Sequence, residues 1–124
     1  MEKFITIDGK PVGFRTNALT PRLYRERFGR DFIKDLGAMQ RKWQKMAEDE
    51  SLLEAVDLES FENFAWTLAY QYAKHHEGED GVTVYEDPDE WLEQFETFAI
   101  YEVLPELYQL WKDSEKTTSI PKNQ

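Results

Sequence analysis

The chain has 124 residues, enough for one domain of ordinary size. Hydrophobic residues make up 40% and aromatics 15%, which excludes a chain disordered throughout, and the absence of cysteine excludes disulfides and thiolate chemistry. The net charge of −10 is unevenly placed: residues 1–46 carry 11 Lys and Arg against 5 Asp and Glu, and the remainder carries 4 against 20.

A basic first third (+6) joined to an acidic remainder (−16) has two readings. Either the halves neutralise each other across the fold or within a homo-oligomer, or each meets a different partner. No stretch approaches the roughly 18 consecutive apolar residues of a membrane helix. Met1-Glu2-Lys3-Phe4 meets charge too early for a signal peptide. The expectation is a cytoplasmic protein with no membrane partner.

Phe4-Ile5-Thr6-Ile7 alternates bulky β-formers, Asp8-Gly9-Lys10 supplies a turn, and Val12 to Arg15 returns as a second strand. Such a hairpin is marginal alone and must lie on something. Thr20-Pro21 predicts a helix start with Thr20 as N-cap, the helix running to Gly29. Leu23, Tyr24 and Phe28 share its inner face. Asp31 caps a second helix whose apolar stripe is Phe32, Leu36, Met39, Trp43 and Met46. The acidic stretch Ala47 to Glu59 reads as a helical turn or loop.

Ser60 is the expected cap of a third helix, Phe61 to about His75. Only Asn63, Thr67, Gln71 and Lys74 form a polar strip there, so this helix belongs at the centre of the fold. Residues 76–86 read as an exposed loop with a short strand at Val82-Thr83-Val84. Asp87-Pro88-Asp89-Glu90 opens a further helix with a capping box, burying Trp91, Leu92, Phe95, Phe98 and Ala99. Pro105 is expected to break or kink the chain near Val103-Leu104, leaving a short final helix over Glu106–Trp111. The fold class is therefore α+β, mainly α: four or five packed helices with an N-terminal β-hairpin, in one domain over residues 1–113, followed by a flexible tail over 114–124.

Reactive constellations are hard to find. His75 and His76 precede Glu77, Glu79 and Asp80, but adjacent histidines at a helix end point in different directions. No CxxC, HExxH or DxDxDG pattern supports a metal site. Histidine at a helix C-terminus is already favoured by the macrodipole. Glu93 and Glu96 lie one turn apart, yet nothing marks that pair above the other carboxylates. There is no nucleophile elbow and no glycine-rich phosphate loop. The expectation is a protein that is not an enzyme, with no catalytic residue, metal or cofactor. The basic segment Arg22 to Lys45 superficially suggests a helix-turn-helix, but the acidic whole would be repelled by nucleic acid.

Several segments together resemble one family, the tail assembly chaperones of long-tailed phages and prophages of Gram-positive bacteria. Thr20-Pro21-Arg22-Leu23-Tyr24-Arg25-Glu26-Arg27-Phe28-Gly29-Arg30-Asp31 is similar to that family's basic, aromatic helix with its Phe-Gly and Asp. Phe61-Glu62-Asn63-Phe64-Ala65-Trp66-Thr67-Leu68-Ala69 resembles its central helix, and Glu90 to Glu96 the segment that follows. Leu110-Trp111 and Pro121-Lys122 resemble its end, although many relatives there carry a longer run of lysines.

The resemblance implies a non-virion assembly factor of the bacterial host cytoplasm. Such proteins bind the long, hydrophobic, coiled-coil tape measure protein and recruit tail tube subunits around it, often with a frameshifted extension. Pro121-Lys122-Asn123 can be encoded by CCA-AAA-AAC, which contains the slippery heptamer A-AAA-AAC. Aromatic residues offer large contact area at low entropy cost. The expected client face is therefore Phe98, Tyr101, Leu107, Tyr108, Leu110 and Trp111, with Trp111→Ala expected to weaken capture while leaving the fold intact. Two alternatives remain open: an acidic inhibitor or DNA mimic that binds basic proteins, and a nucleic-acid-binding regulator.

Overall fold

The computed structural model describes residues 1–48 and 58–119. An antiparallel hairpin, β1 (Glu2–Ile7) and β2 (Lys10–Arg15), closes on Asp8 and Gly9, whose φ angles of 53° and 75° are what a two-residue turn of matching twist requires. Strand alternation points Ile5, Ile7 and Phe14 into the core and leaves Glu2, Phe4 and Thr6 outside. The hairpin does lie on something: β2 packs along the third helix and β1 touches the last.

Five helices follow among the described residues: α1 (Thr20–Phe28), α2 (Phe32–Glu48), α3 (Leu58–His75), α4 (Pro88–Glu93) and α5 (Ile100–Ser119). The mainly helical α+β class read from the sequence is the one observed. Helix α3 is central, in contact with β2 and with each of the other four helices, and Phe61, Phe64, Trp66 and Leu68 on it are fully buried.

Local signals explain most boundaries. Helix α1 carries Pro21 in its first turn and is closed by Gly29, left-handed at φ 67°. Asp31 caps α2 by accepting from the Lys34 N–H at 3.0 Å. The buried Tyr24 hydroxyl donates to Asp35 Oδ2 at 2.7 Å, and Arg30 grips the same carboxylate with two bonds of 2.7 and 2.8 Å. One carboxylate thus locks α1, the turn and α2 together.

Elsewhere the structure differs from expectation. Thr20 is the first helical residue and is buried; its hydroxyl donates to Gln71 Oε1 and accepts from the Asn17 N–H. Asn17 Oδ1 in turn accepts from Gln71 Nε2 and the Leu19 N–H, so Gln71 leaves the expected polar strip for a satisfied buried cluster. Helix α3 begins at Leu58 and not after Ser60. Residues 49–57 of the acidic stretch lie outside the described residues.

Val82-Thr83-Val84 forms no strand: among the described residues the only sheet is the hairpin, and this segment does not pair with it. Asp87 caps α4 through the Glu90 N–H, but Glu90 reaches back to the N–H of Glu86 and not of Asp87. That helix stops at Glu93, so Phe95 and Phe98 pack on Trp91 from non-helical chain, at centroid distances of 5.3 and 5.4 Å, and Ala99 is exposed.

The break expected at Pro105 falls instead over residues 94–99, and α5 runs through the proline. Pro105 deprives only the Tyr101 carbonyl of its usual donor, and both residues are exposed, where water can take that role. The helix continues to Ser119, past the expected start of a flexible tail at 114. Ser114 Oγ shares a 2.6 Å hydrogen bond with the buried Thr16, and Glu115 accepts from the Trp111 indole at 2.8 Å. Residues 120–124 are outside the described range.

Candidate functional site

The six residues expected to grip a client do not form one exposed face. Leu107, Leu110 and Trp111 are buried in the core, Trp111 edge-on to Phe32 at 5.0 Å. Phe98 and Tyr108 are half-buried; Phe98 lies on Trp91, and Tyr108 lies on Trp43 and donates to Gln40 at 2.9 Å. Only Tyr101 stands out to solvent. Leu107, Leu110 and Trp111 share one face of α5, at spacings of three and four residues, and that face packs against α3 and against Phe32 of α2.

A different surface gathers one exposed ring, Phe4, with three half-buried ones, Tyr70, Tyr72 and Tyr85. Between β2, the C-terminal half of α3 and the loop around 79–85 lies an open groove of about 560 Å³. It is lined by Phe4, Tyr70, Tyr72 and Tyr85, together with the buried rings of Trp66 and Trp91. Phe4 is 60% exposed, the most of any large hydrophobic residue described, and meets Tyr72 edge-to-face at 5.2 Å.

Backbone geometry builds this site. The Thr16 N–H donates to the Met1 carbonyl and the Met1 amine to the Thr16 carbonyl, so residues 1 and 16 are a hydrogen-bonded pair. Alternation then makes 3 with 14, 5 with 12 and 7 with 10 the bonded pairs. Pro11 therefore sits where the ladder needs no N–H, and the amide groups of Gly13 point away from β1. Gly13 has no side chain because the Tyr72 ring lies on it: an added Cβ would fall 2.5 Å from that ring.

The far wall is held by Trp66, whose indole donates to the Tyr85 carbonyl at 3.0 Å. At one end Lys10 Nζ donates to the Gln94 carbonyl at 2.7 Å and lies over the Phe95 ring. At the other stand the exposed carboxylates Glu79 and Asp80. The groove thus offers several rings beside two exposed carboxylates, a surface suited to apolar side chains.

Beside the groove, His76 stacks on Tyr72 with centroids 4.3 Å apart. Its Nε2 lies 2.9 Å from Glu2 and its Nδ1 2.8 Å from Glu79, hydrogen bonds that raise the imidazole pKa above its ordinary value, Glu2 the more. Burial works to raise the Glu2 carboxyl, but hydrogen bonds from His76 and Arg15 outweigh it and hold the group below its usual range.

Of these residues Phe4, Gly13 and Tyr72 were missed by sequence reasoning. A signal was present: strand alternation puts Phe4 opposite Ile5 and Ile7, an aromatic on the face that should be polar, and a glycine inside a strand marks a close approach. No protein family, curated protein or solved structure compared with this chain matches it.

Proposed function

We propose that this chain is a tail assembly chaperone of a long-tailed phage, which shields apolar segments of the tape measure protein and brings tail tube subunits to it. The observation that carries the reading is the aromatic groove with Phe4 exposed at its rim. A soluble chain that keeps so large a ring in water beside other rings gains most when a partner covers it. The ordered likeness of the segments 20–31, 61–69 and 90–96 to the chaperone family supplies the identity of the client. On this reading the protein acts in the host cytoplasm, and a frameshift at Pro121-Lys122-Asn123 supplies an extended form that reaches the tube protein. The slippery heptamer in the coding DNA tests that last point directly.

The client is tested by co-expressing the tagged full chain with the tape measure protein of the same genome. Co-purification is expected from wild type and Tyr101→Ser and is expected to fall several-fold in Phe4→Ser, with all three melting alike by circular dichroism. Capture undiminished in Phe4→Ser moves the seat away from the groove. A wild-type chain that captures no tape measure protein ends the reading altogether.

A further inference from the structure

The fold brings Glu2, from the first strand, against the histidine pair at the end of α3. Donor atoms of Glu2, His75 and His76 all lie within 4.8 Å of one another. The two imidazoles stand nearly perpendicular, at 82° with centroids 5.1 Å apart, so adjacent histidines that diverge on an ideal helix approach one point from different directions here. We infer that Glu2, His75 and His76 form a binding site for one divalent transition-metal ion of the zinc class.

Two nitrogens and one carboxylate oxygen are a donor set suited to such an ion, with water completing the coordination. The surroundings match what a metal-bound histidine requires. Glu79 holds the Nδ1 side of His76 at 2.8 Å, which fixes Nε2 as the nitrogen offered to Glu2 and to an ion. Tyr72 stacks on the ring and restrains its rotation. Arg15 and His76 both bond Glu2 through Oε2, at 2.6 and 2.9 Å, so Oε1 carries no hydrogen bond from the described residues. An ion here would take the place of the His76–Glu2 hydrogen bond. The Arg15 charge opposes it and the Glu79 carboxylate favours it. Bound metal would staple β1 to the end of α3, 73 residues apart in sequence (2 and 75). This inference is independent of the client proposed above.

The test is calorimetric titration of the full chain, freed of any polyhistidine tag, with Zn²⁺, Ni²⁺ and Mg²⁺. One Zn²⁺ per chain is expected, with Ni²⁺ binding and Mg²⁺ not, since magnesium prefers oxygen donors. Zn²⁺ should raise the thermal midpoint of the wild type. His75→Ala, at an exposed position, should leave the metal-free midpoint in place and abolish the zinc-induced rise. Glu79→Gln should weaken zinc about 10-fold or more through its hold on His76. Equal zinc affinity in His75→Ala, several weak ions per chain, or Mg²⁺ binding as well as Zn²⁺ would each overturn the site.

Discussion

A methyl group on Gly13 would press into the Tyr72 ring at 2.5 Å, so even alanine forces the ring or the strand to move. Glycine inside a strand ordinarily costs roughly 0.5–1 kcal/mol relative to alanine. Overpacking costs typically about 1–3 kcal/mol and is expected to win. Gly13→Ala should therefore lower stability in urea melts, and the loss should shrink or reverse when Tyr72→Ala removes the ring. Equal losses in both backgrounds would show that the ring contact is not the cause. Asp35 makes a second prediction at this scale. Its carboxyl is held below the ordinary range by the Arg30 hydrogen bonds first, then by the Tyr24 hydroxyl, with burial opposing. A lowered folded pKa means stability that is present above the unfolded value of about 3.9 and is lost as pH falls through the folded value. Asp35→Asn should cost about 1–3 kcal/mol at neutral pH. The gap between the two proteins should narrow in melts at about pH 3, a window set by the ordinary Asp value. A gap independent of pH would mean that packing, not charge, makes the difference.

At the scale of elements, α3 is the part on which the others are assembled. Trp66 is fully buried, with Phe28 at 5.8 Å, Tyr70 at 4.9 Å and the Arg27 guanidinium over its face, and its indole N–H secures the Tyr85 loop. Trp66→Ala is expected to cost about 3–5 kcal/mol and Leu68→Ala about 2–5 kcal/mol. Trp111→Ala joins them, because its ring lies in the core against Phe32, so it should unfold the protein rather than report on a client. Urea melts of all three decide the matter; a wild-type midpoint for Trp111→Ala would put that residue back on the surface. The elements legible in the sequence are those with local chemistry at their ends: the Asp8-Gly9 turn, Pro21 and Gly29 around α1, Asp31 before α2, Asp87-Pro88 before α4. The parts not legible depend on distant partners. The tie of Ser114 to Thr16 extends α5 beyond its apolar stretch, and nothing near residue 114 announces it. The course of 94–99 follows from clasps to the hairpin, the Glu96 N–H on Asp8 and the Gln94 carbonyl on Lys10. The groove likewise joins residues 4 and 13 to 72, a meeting that periodicity within one segment does not encode.

Over the whole molecule, the uneven charge of the chain becomes an uneven surface. Lys3–Glu106 at 3.1 Å and the Glu2–His76 contact join the basic and acidic parts. Arg22, Arg25, Lys34, Arg41, Lys42 and Lys45 stand exposed on α1 and α2, so neutralisation across the fold is limited among the described residues. Two modes of partner capture then make opposite demands. A chaperone working through the aromatic groove relies on apolar burial, which salt does not screen and kosmotropic salts strengthen. An acidic mimic working through its surplus carboxylates relies on long-range attraction, which fades once the Debye length shrinks to about 3 Å near 1 M salt. Co-purification with the tape measure protein is therefore expected to persist in a wash of about 1 M NaCl. It should also tolerate Glu79→Gln with Asp80→Asn, which neutralises the two exposed carboxylates and leaves the rings in place. Loss of the complex in both conditions, with Phe4→Ser behaving as wild type, would transfer the assignment to the acidic surface, because only a carboxylate-driven contact fails in that pattern.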